Sequence, residues 1–151
     1  MNIPGNLLLA YLKGSGLSTT VTLLMLIFYI VSLGEISDFE LLAAVLVFHT
    51  YIGSLAGMFL LRFLRPLENG IVYPILGIII FGTVGLLYGL FIIFTYNLEG
   101  YFIGVTMASS ISFFCSQVVK SKGASYLLAA LGPLFLLLIF LSVQFIGTLG
   151  S

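Results

Sequence analysis

Five apolar runs, each near or above the roughly 20 residues that carry a helix across a bilayer, divide this chain at short polar gaps. They cover Gly16–Gly34, Leu41–Leu61, Ile71–Tyr96, Tyr101–Val119 and Ser125–Leu149. None alternates apolar and polar residues with the period of two that a barrel strand requires. In hydrocarbon a spanning segment must satisfy its own backbone groups, so each run is predicted as an α-helix. The expected architecture is an all-α integral membrane protein: one compact bundle of five transmembrane helices over residues 1–151, with short loops and no soluble domain.

Residues 1–13 precede the first run. Ile3, Leu7, Leu8 and Tyr11 share one helical face, so this segment is either a short interfacial helix or an irregular lead-in. It does not pattern as a cleavable signal, because no basic residues precede its apolar stretch and that stretch is short. Pro66 should end the second helix, and Pro74 falls in the opening turn of the third, where a missing N–H costs little. Gly132-Pro133 lies inside the fifth run, where it predicts either a kink or a proline satisfied by packing.

Composition makes the membrane reading hard to avoid. Charged residues are 7% of the chain and hydrophobic ones 61%, whereas a water-wetted domain carries about a quarter charged residues. The formal net charge of zero hides a sharp asymmetry. With the N-terminus cytoplasmic, all basic residues (Lys13, Arg62, Arg65, Lys120 and Lys122) fall on the inner side, as the positive-inside rule asks. Glu35, Asp38, Glu40 and Glu99 fall outside, and only Glu68 inside. Adding or removing one span would scatter this pattern, so the C-terminus is expected to be extracytoplasmic. The basic residues serve chiefly to set topology, and they form a rim able to meet anionic headgroups. The compactness of the chain points to a bacterial inner membrane.

Lipid tails are as apolar as leucine, so helices associate in a bilayer by close packing of small residues and by interhelical hydrogen bonds. Gly53 and Gly57 on the second helix, Gly82, Gly85 and Gly89 on the third, and Gly104 and Ala108 on the fourth are the expected packing or partner faces. The fourth helix is also the most polar: Thr106, Ser109, Ser112 and Ser116 recur at helical spacing, and this helix is expected to be the most interior. His49, the single histidine, shares its face with Gly53 and Gly57 and falls near mid-membrane. It is expected to turn inward, toward the hydroxyls of the fourth helix. His49, Ser109, Ser112 and Ser116 are therefore the candidate ligand or proton site. No carboxylate lies at the depth of His49 to form a relay, which favours a packing hydrogen bond over titration.

Most chemistry is excluded. Cys115 is the single cysteine, so no internal disulfide forms, and no metal-ligand cluster or phosphate-binding loop occurs. Ser54 follows His49 on a different helix face, and no nucleophile motif supports a serine enzyme. Asp38 is the single aspartate and belongs to a loop. "TVGLLYG", from Thr83, sits within a continuous helical run and cannot form a carbonyl filter. No cofactor, metal or nucleic acid is expected. The favoured reading is a non-enzymatic accessory, regulatory or immunity-type subunit that binds another integral membrane protein, or a second copy of itself, through small-residue faces. The alternative is a small oligomeric transporter or permeation unit lined by His49 and the polar fourth helix.

Overall fold

A computed structural model describes residues 3–33, 39–64, 66 and 72–149. These form five α-helices: α1 (Ile3–Leu33), α2 (Phe39–Leu64), α3 (Val72–Tyr96), α4 (Tyr101–Val118) and α5 (Lys122–Leu149). All five are long and apolar enough to cross a membrane. Glu35, Asp38, Arg65 and Glu68 lie outside the described residues, as does the side chain of Glu40.

The start of the chain departs from expectation. Instead of a separate segment before Gly16, α1 is one helix from Ile3. Pro4 is tolerated in its first turn, where the missing N–H would have had no partner. The helix continues because Lys13, Gly14, Ser15 and Gly16 are buried and bound to neighbours. Lys13 Nζ donates to the Val119 carbonyl at the end of α4, at 3.2 Å. That contact places a cation on a carbonyl at a helix C-terminus, where the helix dipole favours positive charge. Lys13 is thus held within the bundle, while Arg62, Lys120 and Lys122 at the same end are exposed. At the opposite end Tyr29 donates to a Glu99 carboxylate oxygen, at 2.7 Å.

Contacts between elements give the layout. α3, α4, α1 and α5 follow one another side by side, and α2 lies across α1 and α4, with little contact to α3. α1, rather than α4, is the most enclosed helix, with a larger share of its membrane-length stretch buried than in any of the other four. The reason is its inward stripe of small and polar residues, Gly14, Ser15, Ser18, Thr19 and Thr22, which lets α2, α4 and α5 approach closely.

Glycines set these approaches. Gly14 of α1 and Gly57 of α2 hold the Phe113 ring of α4 between them, and Gly77 of α3 seats Phe114. A Cβ at Gly85 would come within 2.8 Å of the α4 backbone at Thr106 and Met107, and Gly89 meets Thr106 on the same helix. Gly16 and Gly132 bring α1 and α5 backbone to backbone, and Tyr51 of α2 lays its hydroxyl against Gly132. Gly132 and Pro133 lie within continuous α5. Of the other expected packing positions, Gly82 would make ordinary contact with Ile111, Gly53 would meet only Tyr88, and Gly104 is exposed.

Two apolar clusters result. One, toward the Glu99 end, joins Leu23, Leu26, Leu46, Val47, Phe102 and Val105. The other, toward the Lys13 end, joins Leu64, Phe81, Phe113 and Phe114, with Phe81 stacked on both Phe113 and Phe114. α3 ends in a Schellman-type cap: Asn97 takes a φ of 54° and the Leu98 N–H donates to the Ile93 carbonyl at 3.3 Å. Asparagine tolerates that left-handed conformation better than most residues.

Gly16→Ala and Gly85→Ala should each destabilise the protein by about 1–3 kcal/mol, the usual cost of overpacking, in thermal unfolding in detergent. Gly104→Ala should be neutral or stabilising by up to about 1 kcal/mol, because only helix propensity changes there.

Candidate functional site

Between the two clusters the bundle encloses a cavity of about 120 Å³, lined by residues of α1, α2, α3 and α4. Its origin is legible in the side chains of α2. α3 is drawn onto α4 by Gly85 and Gly89, and α2 is drawn onto α1 through Thr50 and Thr22, whose hydroxyl oxygens are 3.3 Å apart. Beyond His49, the α2 residues that line the space include Gly53, Ser54 and Ala56, too short to fill it. The space that remains opens sideways between α2 and α3, where the lining residues Ile52 and Ala56 are themselves exposed.

His49 bridges the gap at the end of the cavity nearer Glu99. Its Nδ1 lies 2.7 Å from the Tyr88 hydroxyl and its Nε2 lies 3.0 Å from the Tyr96 hydroxyl. Both partners are on α3, which corrects the expectation that the imidazole pairs with hydroxyls of α4. The reason is reach: α2 meets α4 at Gly57 and Phe113, about two turns beyond His49, while two long tyrosine side chains of α3 span the open side. A neutral imidazole donates through one nitrogen and accepts at the other, and a protonated one donates through both. In either state at least one of the two phenolic protons is not used in the bond to His49.

The four candidate site residues are only partly brought together. His49 and Ser109 line the same cavity, along with Thr106 and Ser110, whereas Ser112 and Ser116 do not. Ser112 is half-buried at the edge of the inward face and donates to the Ala108 carbonyl at 2.7 Å. Ser116 is fully buried, donates to the Phe113 carbonyl at 2.7 Å and accepts from Gln117 at 2.8 Å. Gln117 also donates to the Ala10 carbonyl of α1, at 3.0 Å, so this part of α4 fastens two helices together.

Several of the hydroxyls around the cavity bond backbone carbonyls. Thr50 and Ser54 each donate back one helical turn, to Leu46 and Thr50, at 2.8 Å. Thr106 donates to Ile103 at 2.9 Å, and Ser18 of α1 donates to the Ser109 carbonyl at 2.8 Å. Back-bonding of this kind lets Ser and Thr sit in a dry environment. The surface left facing the cavity is consequently almost wholly apolar, although many residues around it are named for their hydroxyls.

Sequence reasoning missed Tyr88 and Tyr96 as partners of His49. The available signal was their spacing, two turns apart on one side of α3. It also missed Gly14, Gly16 and Gly132 as close-approach positions, and Phe113 as the ring they help to seat. Among the described residues, no three His, Cys, Asp or Glu side chains converge on one point. In a double-mutant cycle, His49→Phe and Tyr88→Phe should couple by about 0.6–1.7 kcal/mol, the scale of interhelical hydrogen bonds in membrane proteins, in unfolding titrations from mild detergent into SDS. Zero coupling would contradict the geometry. The chain matches no family model, no curated protein and no solved structure with which it was compared.

Proposed function

We propose that this chain is a non-enzymatic multi-pass membrane protein, with its Lys13 end cytoplasmic, that acts as an accessory or regulatory subunit of another integral membrane protein or of a second copy of itself. The observation that carries this reading is the outward side of α4. Gly104 is exposed, and a Cβ there would meet nothing nearer than the Met25 methyl at 4.0 Å. Ala108 and Ser112, one and two turns further along, are only partly covered, and Cys115 is exposed. The helix with the smallest side chains therefore offers a smooth, unfilled face on the side away from α2. A foreign helix packs there at close backbone distance, which is the chief source of association between helices in lipid.

Other features fit insertion in a membrane. Leu24, Phe28, Phe94, Leu127, Leu137 and Phe140 are exposed large hydrophobics, and water would not tolerate so extensive an apolar surface. Tyrosines gather at both ends of the helices: Tyr11, Tyr73 and Tyr126 toward Lys13, and Tyr29, Tyr96 and Tyr101 toward Glu99. Interfacial belts of membrane proteins have this composition. The permeation reading fares less well, because the cavity beside His49 is almost wholly apolar and Ser112 and Ser116 lie outside it, bonded to backbone carbonyls.

Native mass spectrometry of the protein extracted into nanodiscs should reveal a stoichiometric partner subunit or a defined homo-oligomer. Gly104→Leu should lose that assembly while keeping wild-type thermal stability. An assembly unaffected by Gly104→Leu, or a lone monomer in the wild type, would refute the proposal.

A further inference from the structure

We infer that the cavity between α2 and α3 is a binding site for one acyl chain of a bilayer phospholipid. The inference requires the chain to lie in a membrane and is independent of the partner proposed for α4. Three observations converge on this occupant.

The first is chemistry. The cavity wall is almost wholly apolar, in part because Ser18, Thr50, Ser54 and Thr106 bond backbone carbonyls, and none of its lining residues carries a fixed charge. An apolar void of this size stays dry and takes a hydrocarbon of matching volume; engineered cavities of about 150 Å³ bind benzene.

The second is shape and access. The lining on α3 runs from Phe81 to Ile92, about 16 Å along the helix at 1.5 Å per residue. The space is elongated parallel to the helices, as acyl chains are in a bilayer. Its mouth is lateral, between α2 and α3, so in a membrane it faces lipid tails rather than water.

The third is the polar group at one end. His49, Tyr88 and Tyr96 cluster where the cavity approaches the Glu99 end, and Tyr96 is the last residue of α3. At least one phenolic O–H there has no acceptor in its bond with His49. An ester carbonyl accepts such a hydrogen bond. A phospholipid whose tail enters the cavity brings its ester toward this end, since carbonyls lie at the membrane boundary and tails run inward from it.

Gly53 allows the site to be closed without disturbing the helices. It lines the cavity, and a Cβ there would meet only the Tyr88 ring, at 3.9 Å. A leucine at this position fills the space that the acyl chain occupies. Val84, on the α3 side of the same cavity, supplies a second block in the form of Val84→Phe.

The test reconstitutes the full chain in phosphatidylcholine vesicles doped with phosphatidylcholine that carries a photoactivatable diazirine on its acyl chain. Adducts are mapped by peptide mass spectrometry. Val105 is the diagnostic residue, being 1% exposed and reached by a lipid tail only through the cavity. Leu137 of α5, 58% exposed, reports contact with bulk lipid. In the wild type both residues should be labelled. Gly53→Leu and Val84→Phe should each reduce labelling of Val105 severalfold and leave Leu137 unchanged. Absent labelling at Val105 beside strong labelling at Leu137 would overturn the site, as would Val105 labelling unaltered by either block. Labelling of Val105 by a free diazirine fatty acid but not by the phospholipid would overturn the assignment to a phospholipid. Failure to label Leu137 would instead refute membrane insertion itself.

Discussion

The bundle depends on how closely other helices can approach α1. In lipid, apolar side chains gain nothing by leaving one another for hydrocarbon, so cohesion must come from short backbone distances and from hydrogen bonds between helices. α1 provides both along one inward stripe. Gly14 admits Phe113 of α4, Gly16 admits the backbone of α5, Ser18 donates to α4 at 2.8 Å, and Thr22 meets Thr50 of α2 at 3.3 Å. Three neighbours are thereby held to one helix whose side chains on that stripe are no larger than threonine. Larger residues would push α2, α4 and α5 outward together, because close-packed interiors transmit such displacements.

The cavity is a consequence of this arrangement. α2 is held to α1 by Thr50 and to α4 by Phe113 against Gly57, while α3 is held to α4 by its own glycines. Between His49 and Gly57, α2 lines the space largely with Gly53, Ser54 and Ala56, whose side chains are too short to fill it. The same small residues that permit close packing on one side of α2 therefore leave space on another. The imidazole of His49 closes that space at one end with two tyrosines, and in doing so is supported at both nitrogens. The lone histidine of this apolar run thus ties α2 to α3.

Much of the architecture was legible in the sequence, for physical reasons. Apolar runs of bilayer length with charges confined to the gaps admit few other folds, and the ends of α3 and α4 fall at or within one residue of the predicted positions. The start of α1 was not legible, because "KGSGLSTT" resembles a poor, glycine-broken lead-in when judged by hydropathy alone. Its polar and small residues are in fact the ones most enclosed. The prominence of α4 misled for the same reason. Its hydroxyls suggested an interior polar seam, but they mostly bond their own backbone, and Gly104 faces outward. The partners of His49 were not legible, because they depended on which helix lies across the open side of α2.

The central claim is that α1 forms the hub of the bundle in the register that sets Thr22 against Thr50. Its most direct test is oxidative cross-linking of a Thr22→Cys, Thr50→Cys variant in a Cys115→Ser background, in native membranes. The account predicts a rapid intramolecular disulfide, with none when Leu24→Cys replaces Thr22→Cys, because Leu24 points outward. Cross-linking that is absent, equally efficient from position 24, or formed only between two chains would contradict it.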